Sequence, residues 1–142
     1  MTAKEYLSQA RFLDMQIKSK LDQLQSLNDL ATKCTSVISD MPKMPNKSVS
    51  SMADTIHKII DLQCEINRDI DEMVHLKNQI VHVIDKVKKT DYRMILEKRY
   101  LCFQNWEEIA ADMSLDLRWL YRLHGRALEA VGKIYEEMKI DH

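Results

Sequence analysis

A group of cationic and aromatic residues near the end of the chain offers the clearest chemistry. In "SLDLRWLYRLHGRALEAV" Arg118 and Arg122 stand four apart, Tyr121 lies between them, and Arg126 follows one turn later. On a helix this spacing projects both arginines from one side near the N-terminus, the end that a recognition helix lays against base edges in a major groove. A guanidinium can pair with guanine through two parallel hydrogen bonds, and a tyrosine can pack on a thymine methyl or reach a phosphate. Between Leu117 and Tyr135 only Glu129 opposes Arg118, Arg122, Arg126 and Lys133, so the segment is locally positive within a chain of formal net charge −1. Arg126 and Lys133 suit phosphate contacts. Lys86, Lys88, Lys89, Arg93, Lys98 and Arg99 would add to them if the chain folds them to the same side.

The elements that must position these residues can be read around them. Asn105 is placed to cap a helix starting at Trp106, with Glu107 and Glu108 in a first turn where the helix dipole favours negative charge. Ile109, Ala110 and Met113 would face inward, and the small Ala110 permits a close crossing with the next helix. "MSLD" then supplies the turn. Asp116 is the expected cap of a helix with Leu120, Leu123, Ala127, Leu128 and Val131 on its inner face. Upstream, Thr90 or Asp91 is expected to cap a short helix ending near Phe103. From the residues alone, a capped helix pair with a basic face suits a solvated helical hairpin as well as a DNA reader.

The rest of the chain is more uniform. It has 142 residues, with two glycines and two prolines among many Leu, Ile, Lys, Glu, Asp and Met, so the expected fold class is all-α. Tyr6, Ala10, Leu13, Ile17, Leu21, Leu24, Leu27, Ala31, Cys34 and Ile38 advance by threes and fours as one long helix. Asp40 to Ser50, with two prolines and a serine-rich end, reads as a loop. A second stripe follows through Met52, Ile56, Ile59, Gln63, Ile66, Ile70, Met73, Leu76, Ile80, Val83 and Val87, widened by Ile60 and Cys64. Neither stripe can be buried alone, so the two helices are expected to pair as a long antiparallel coiled-coil hairpin over residues 1–89, with Gln63 helping to fix register. A compact helix-turn-helix domain would then occupy 90–142.

The run "LEKRYLCFQNWEEIAADMSLDLRWLYRLHGRALEAV" resembles sigma-70 region 4 in its "RY" helix (Arg99, Tyr100), its "EEIA" helix (Glu107 to Ala110) and a recognition helix ending in "RAL" (Arg126 to Leu128). With "YLSQARFLDMQIKSKLDQL" and "SDMPK", the whole chain is similar to small prophage proteins of Gram-positive bacteria, akin to phage late transcription regulators of the ArpU and RinA type. This resemblance implies binding of double-stranded DNA through the second helix, with Leu117, Arg118, Tyr121 and Arg122 at base-facing positions. Leu117 and Trp119 depart from the polar residues common there, and Gly125 interrupts the helix with a weak former. Nothing resembles the sigma segments that bind core polymerase or melt promoter DNA, so an accessory regulator is implied.

The expected function is a phage-encoded, sequence-specific transcriptional regulator acting at a promoter. The hairpin would form a homodimer or present a surface to host RNA polymerase or another regulator. Two rivals are a protein-interaction module binding a host or phage regulator, and a small-terminase-like DNA-packaging protein. Burial of Trp119 would favour an intact DNA-binding core; its exposure would favour a protein interface. His57, His75, His82, His124 and His142 make no ligand pattern with the cysteines, and no nucleophile or phosphate-cradling motif is present, so neither enzyme activity, metal nor cofactor is expected. Cys34, Cys64 and Cys102 sit in apolar helical patterns and read as buried thiols of a reducing cytoplasm. There is no signal-peptide pattern and no membrane span.

Overall fold

The computed structural model describes residues 1–40 and 45–140, with side chains described for 1–33 and 51–139. The protein is all-α: among the described residues there are five α-helices, one π-helical turn and no strand. The helices are α1 (Ala3–Asp40), α2 (Pro45–Asp85), α3 (Thr90–Leu96), α4 (Trp106–Met113) and α5 (Leu117–Ile140). Of the loop expected over Asp40 to Ser50, the stretch from Pro45 on is helical instead. Residues 41–44 lie outside the described residues, and α2 already begins at Pro45, a first-turn position where the missing N–H of proline costs no hydrogen bond.

The chain forms two compact units, Asp14–Glu72 and Met1–Leu13 with Met73–His142, whereas the sequence places a single boundary at 89/90. In the first unit the long helices α1 and α2 pack together. Their inward rows are Ile17, Lys20, Leu24 and Leu27 on α1, and Thr55, Ile59, Leu62, Ile66 and Asp69 on α2, all buried or half-buried and spaced by threes and fours. Lys20 donates from Nζ to Asp69 Oδ2 at 2.6 Å and lies 3.8 Å from Glu65, while Gln16 donates to the same Asp69 oxygen at 3.2 Å. Ascending positions on α1 therefore meet descending ones on α2, as antiparallel pairing requires.

The seam differs from the expected stripe in an instructive way. Leu21, Ile56, Ile60, Gln63, Cys64 and Ile70 are exposed, and the positions beside them, Lys20, Thr55, Leu62 and Asp69, turn inward instead. Two adjacent rows of α2 satisfy the same heptad spacing, so periodicity cannot choose between them; the packing of α1 does. The polar contact that can fix register is consequently Lys20–Asp69 and not Gln63. Replacing Asp69 alone with Leu should cost about 1–2 kcal/mol, because the Lys20 ammonium is left half-buried without its acceptor. The Lys20→Leu/Asp69→Leu pair should recover that loss or exceed wild type in urea melts, at the expense of register. A single Asp69→Leu variant as stable as wild type would refute the pairing.

In the second unit Leu7, Ile80, Ile84, Ile95, Leu96, Ile109, Leu120 and Val131 are fully buried. Ile95, Ile109, Ala110, Leu120 and Leu123 form one cluster, with Tyr92, Trp106, Met113, Leu115 and Leu117 packed against it. Lys89, not Thr90 or Asp91, holds the N-cap position of α3; the Thr90 hydroxyl instead accepts from Arg93 Nη2 at 3.2 Å. The helix does not reach Phe103: it widens into a π-helical turn (Glu97–Leu101), and Phe103 takes a left-handed backbone at φ 57° that starts the next connection. Asn105 caps α4 as its residue type suggests, its Oδ1 accepting from the Glu108 N–H at 2.8 Å. Ser114, also left-handed at φ 55°, ends α4, and the Leu115 N–H closes onto the Ala110 carbonyl at 2.9 Å.

Cys64 and Cys102 are exposed free thiols, contrary to the burial expected of them: Cys64 stands two positions from both Leu62 and Ile66, on the side of α2 away from the buried row, and Cys102 lies just past the π-helical turn. The side chain of Cys34 lies outside the described residues. No described helix is long and apolar enough to cross a membrane.

Candidate nucleic-acid interface

Helix α5 is held from behind and free in front. Leu120, Leu123, Ala127 and Val131 are buried, which fixes its rotation about its own axis, and Leu128 is half-buried at the margin. A helix anchored this way must turn Arg118 and Arg122 directly outward, and both are exposed. Arg118 lies in the first turn of α5, where the backbone N–H groups lack helical partners. Among the described residues, none of Arg118, Arg122 and Arg126 takes part in an ion pair, so their donors are available to an incoming ligand.

Aromatic residues flank this cationic row on both sides. Tyr121 is exposed but meets Trp106 edge-on, with ring centroids 5.5 Å apart, so its ring is steadied. Arg126 lies over the ring of Trp119 at 5.5 Å. Trp119 itself is 41% exposed and outside the cluster behind α5, the outcome that by the sequence criterion favours a protein interface. Leu117, which the resemblance puts at a base-facing position, is half-buried against that cluster.

The basic residues on either side of α3 divide between different surroundings. Lys86, Lys88 and Lys89 line a cavity of about 440 Å³ together with Lys133, over a floor that includes Val87, Ile134 and Met138. Lys89 also borders a groove shared with Trp119 and Arg126, which connects that group to the basic face of α5. Lys98 instead pairs with Asp112 at 3.3 Å. Arg99 donates to the Gln104 carbonyl at 3.0 Å and covers Trp106 at 4.5 Å, and burial pushes its pKa down. Sequence spacing could list these cations, yet which of them would join Lys133 depended on the direction in which the chain leaves α2.

Behind the face, Tyr100 and His124 make the main buried polar contact. The Tyr100 hydroxyl and His124 Nε2 are hydrogen-bonded at 2.6 Å, and Trp106 packs edge-on against the imidazole at 4.5 Å. Burial pushes the His124 pKa down to about 4 and the Tyr100 pKa up to about 12, with the Lys4 and Arg99 charges adding to the histidine shift. His124 is therefore a buried, neutral packing residue, although it lies among the cations of α5 in sequence.

The sign of the resulting pH dependence follows directly. The folded state binds the His124 proton less readily than the unfolded chain, so its contribution is complete above pH 6.5 and is lost as pH falls toward 4. His124→Gln, which keeps an acceptor for Tyr100, should flatten the fall in urea midpoint over that interval relative to wild type. Parallel slopes in the two proteins would show that another group carries the effect.

Among the described residues no cluster of three or more His, Cys, Asp or Glu side chains could hold a metal ion. In comparisons with known proteins, no family model matches the chain, and neither a curated protein nor a solved structure is significantly similar to it.

Proposed function

We propose that this protein is a sequence-specific, double-stranded-DNA-binding transcriptional regulator that acts at a promoter through α5. The observation that carries the reading is the outward, unpaired placement of Arg118 and Arg122 on the first two turns of a helix whose opposite face is locked into a core. In a major groove, these two side chains would reach guanine edges and Tyr121 would lie beside them, with Arg126 and Lys133 placed for phosphates. The turn between α4 and α5 and the capped start of α4 support the same reading, because they let α4 brace α5 against the backbone. The resemblance of the same residues to sigma-70 region 4 points the same way.

The test is fluorescence anisotropy of the purified chain against duplexes tiling its own genome, measured from low to moderate salt. Tight binding to one intergenic fragment is expected. About four phosphate contacts would weaken it roughly a hundredfold between about 50 and 200 mM salt. Weak binding that is indifferent to sequence would defeat the proposal.

A second reading has one observation in its favour. Trp119 is exposed on α5 beside Arg126, and an exposed tryptophan backed by an arginine is the kind of anchor that protein interfaces use. In this reading the same helix docks a host or phage protein. Trp119→Ala would then abolish capture of that partner while leaving duplex binding intact.

A further inference from the structure

We infer that the exposed face of α2 is the contact surface for a second, antiparallel copy of this chain. Beside the buried seam, α2 carries another apolar row: Ile56 is 42% exposed, Ile60 49% and Ile70 43%, and the spacing continues to Val74 at 54%. With Gln63 and Asn67 filling the intermediate positions, the row advances by alternating fours and threes, which is a second heptad on the same helix. It covers roughly 27 Å of helix at about 1.5 Å per residue.

The order of residues in this row is what selects the partner. Read outward from position 65, Gln63 matches Asn67, Ile60 matches Ile70, and Ile56 matches Val74. A twofold axis at that level, relating two antiparallel α2 helices, would set amide against amide and branched aliphatic against branched aliphatic at every step. An unrelated protein would need no such mirror order, and the intramolecular seam does not use these residues. Glu65 lies on the opposite side of α2, turned toward Lys20, so the axis does not bring two carboxylates together.

The flank of the row obeys the same symmetry. His57, Cys64 and Asp71 recur every seven residues and are all exposed. The twofold would bring His57 of one copy beside Asp71 of the other, a complementary contact, and the two Cys64 thiols close to the axis. Leu21 on α1, next in sequence to the seam residue Lys20, is 46% exposed and occupies the matching flank of its own helix. This association does not depend on whether α5 reads DNA, and its test reads mass and proximity only.

Sedimentation equilibrium of the full chain at roughly 100 μM, where a micromolar Kd leaves mostly dimer, should return twice the chain mass of 16.7 kDa. Ile60→Glu combined with Ile70→Glu should return the single mass with unchanged helicity by circular dichroism. A separate proximity test leaves the row intact: in a chain with all three cysteines replaced by serine, His57→Cys and Asp71→Cys proteins are mixed and treated with a short bis-maleimide. Mixed pairs should link at least tenfold more than either protein with itself. A monomeric wild type, a dimer indifferent to the two glutamates, or preferential linking of His57→Cys to itself would each overturn the inference.

Discussion

Arg118→Ala and Arg122→Ala should each weaken binding to the preferred duplex by roughly 1–3 kcal/mol, about five- to 150-fold, while changing binding to unrelated duplexes far less. The asymmetry is the informative part. Both side chains are exposed, face outward from a core-locked helix, and make no ion pair among the described residues, so their removal leaves the fold untouched and subtracts only contacts to the ligand. Each substitution should also relax preference at one position of the site. Lys133→Ala should act differently, because a lysine beside Lys86, Lys88 and Lys89 is placed for backbone phosphates. It should lower affinity for all sequences alike and reduce the salt slope by about one. Anisotropy titrations on matched and scrambled duplexes measure both effects; equal losses on both duplexes for the arginine variants would remove base readout from α5.

Leu120→Ala should destabilise the protein by about 2–5 kcal/mol, the cost of lost burial plus the cavity left behind. Leu120 is fully buried and belongs to the cluster with Ile95, Ile109, Ala110 and Leu123, where α3, α4 and α5 meet. Met113, which packs against the cluster, can refill part of the space, so the cost falls within that range according to how far it moves. The denaturation midpoint should fall accordingly. Duplex binding should fall with it at temperatures where the variant is partly unfolded, and return on cooling. A loss below about 1 kcal/mol would mean that α5 is not anchored through this residue. The rotation that presents Arg118 and Arg122 would then need another explanation.

Much of this architecture is written in the sequence. The scarcity of glycine and proline, the threes and fours of apolar residues, and the Asn105 cap specify helices and some of their ends through short-range physics that needs no partner. The outward face of α5 follows from the same local rule, because burying Leu120, Leu123, Ala127 and Val131 leaves Arg118 and Arg122 only one direction in which to point. Tertiary structure decided the rest. On α2, Ile56, Ile60 and Ile70 compete with Ile59, Leu62 and Ile66 for the same seam, and only contact with α1 buries the second row and pairs Asp69 with Lys20. His124 stands among exposed arginines in sequence, yet Tyr100 and Trp106 enclose it. Helical periodicity records how residues are arranged around one axis, whereas the choice between adjacent rows, and the burial of a polar group, depends on atoms far away in the chain.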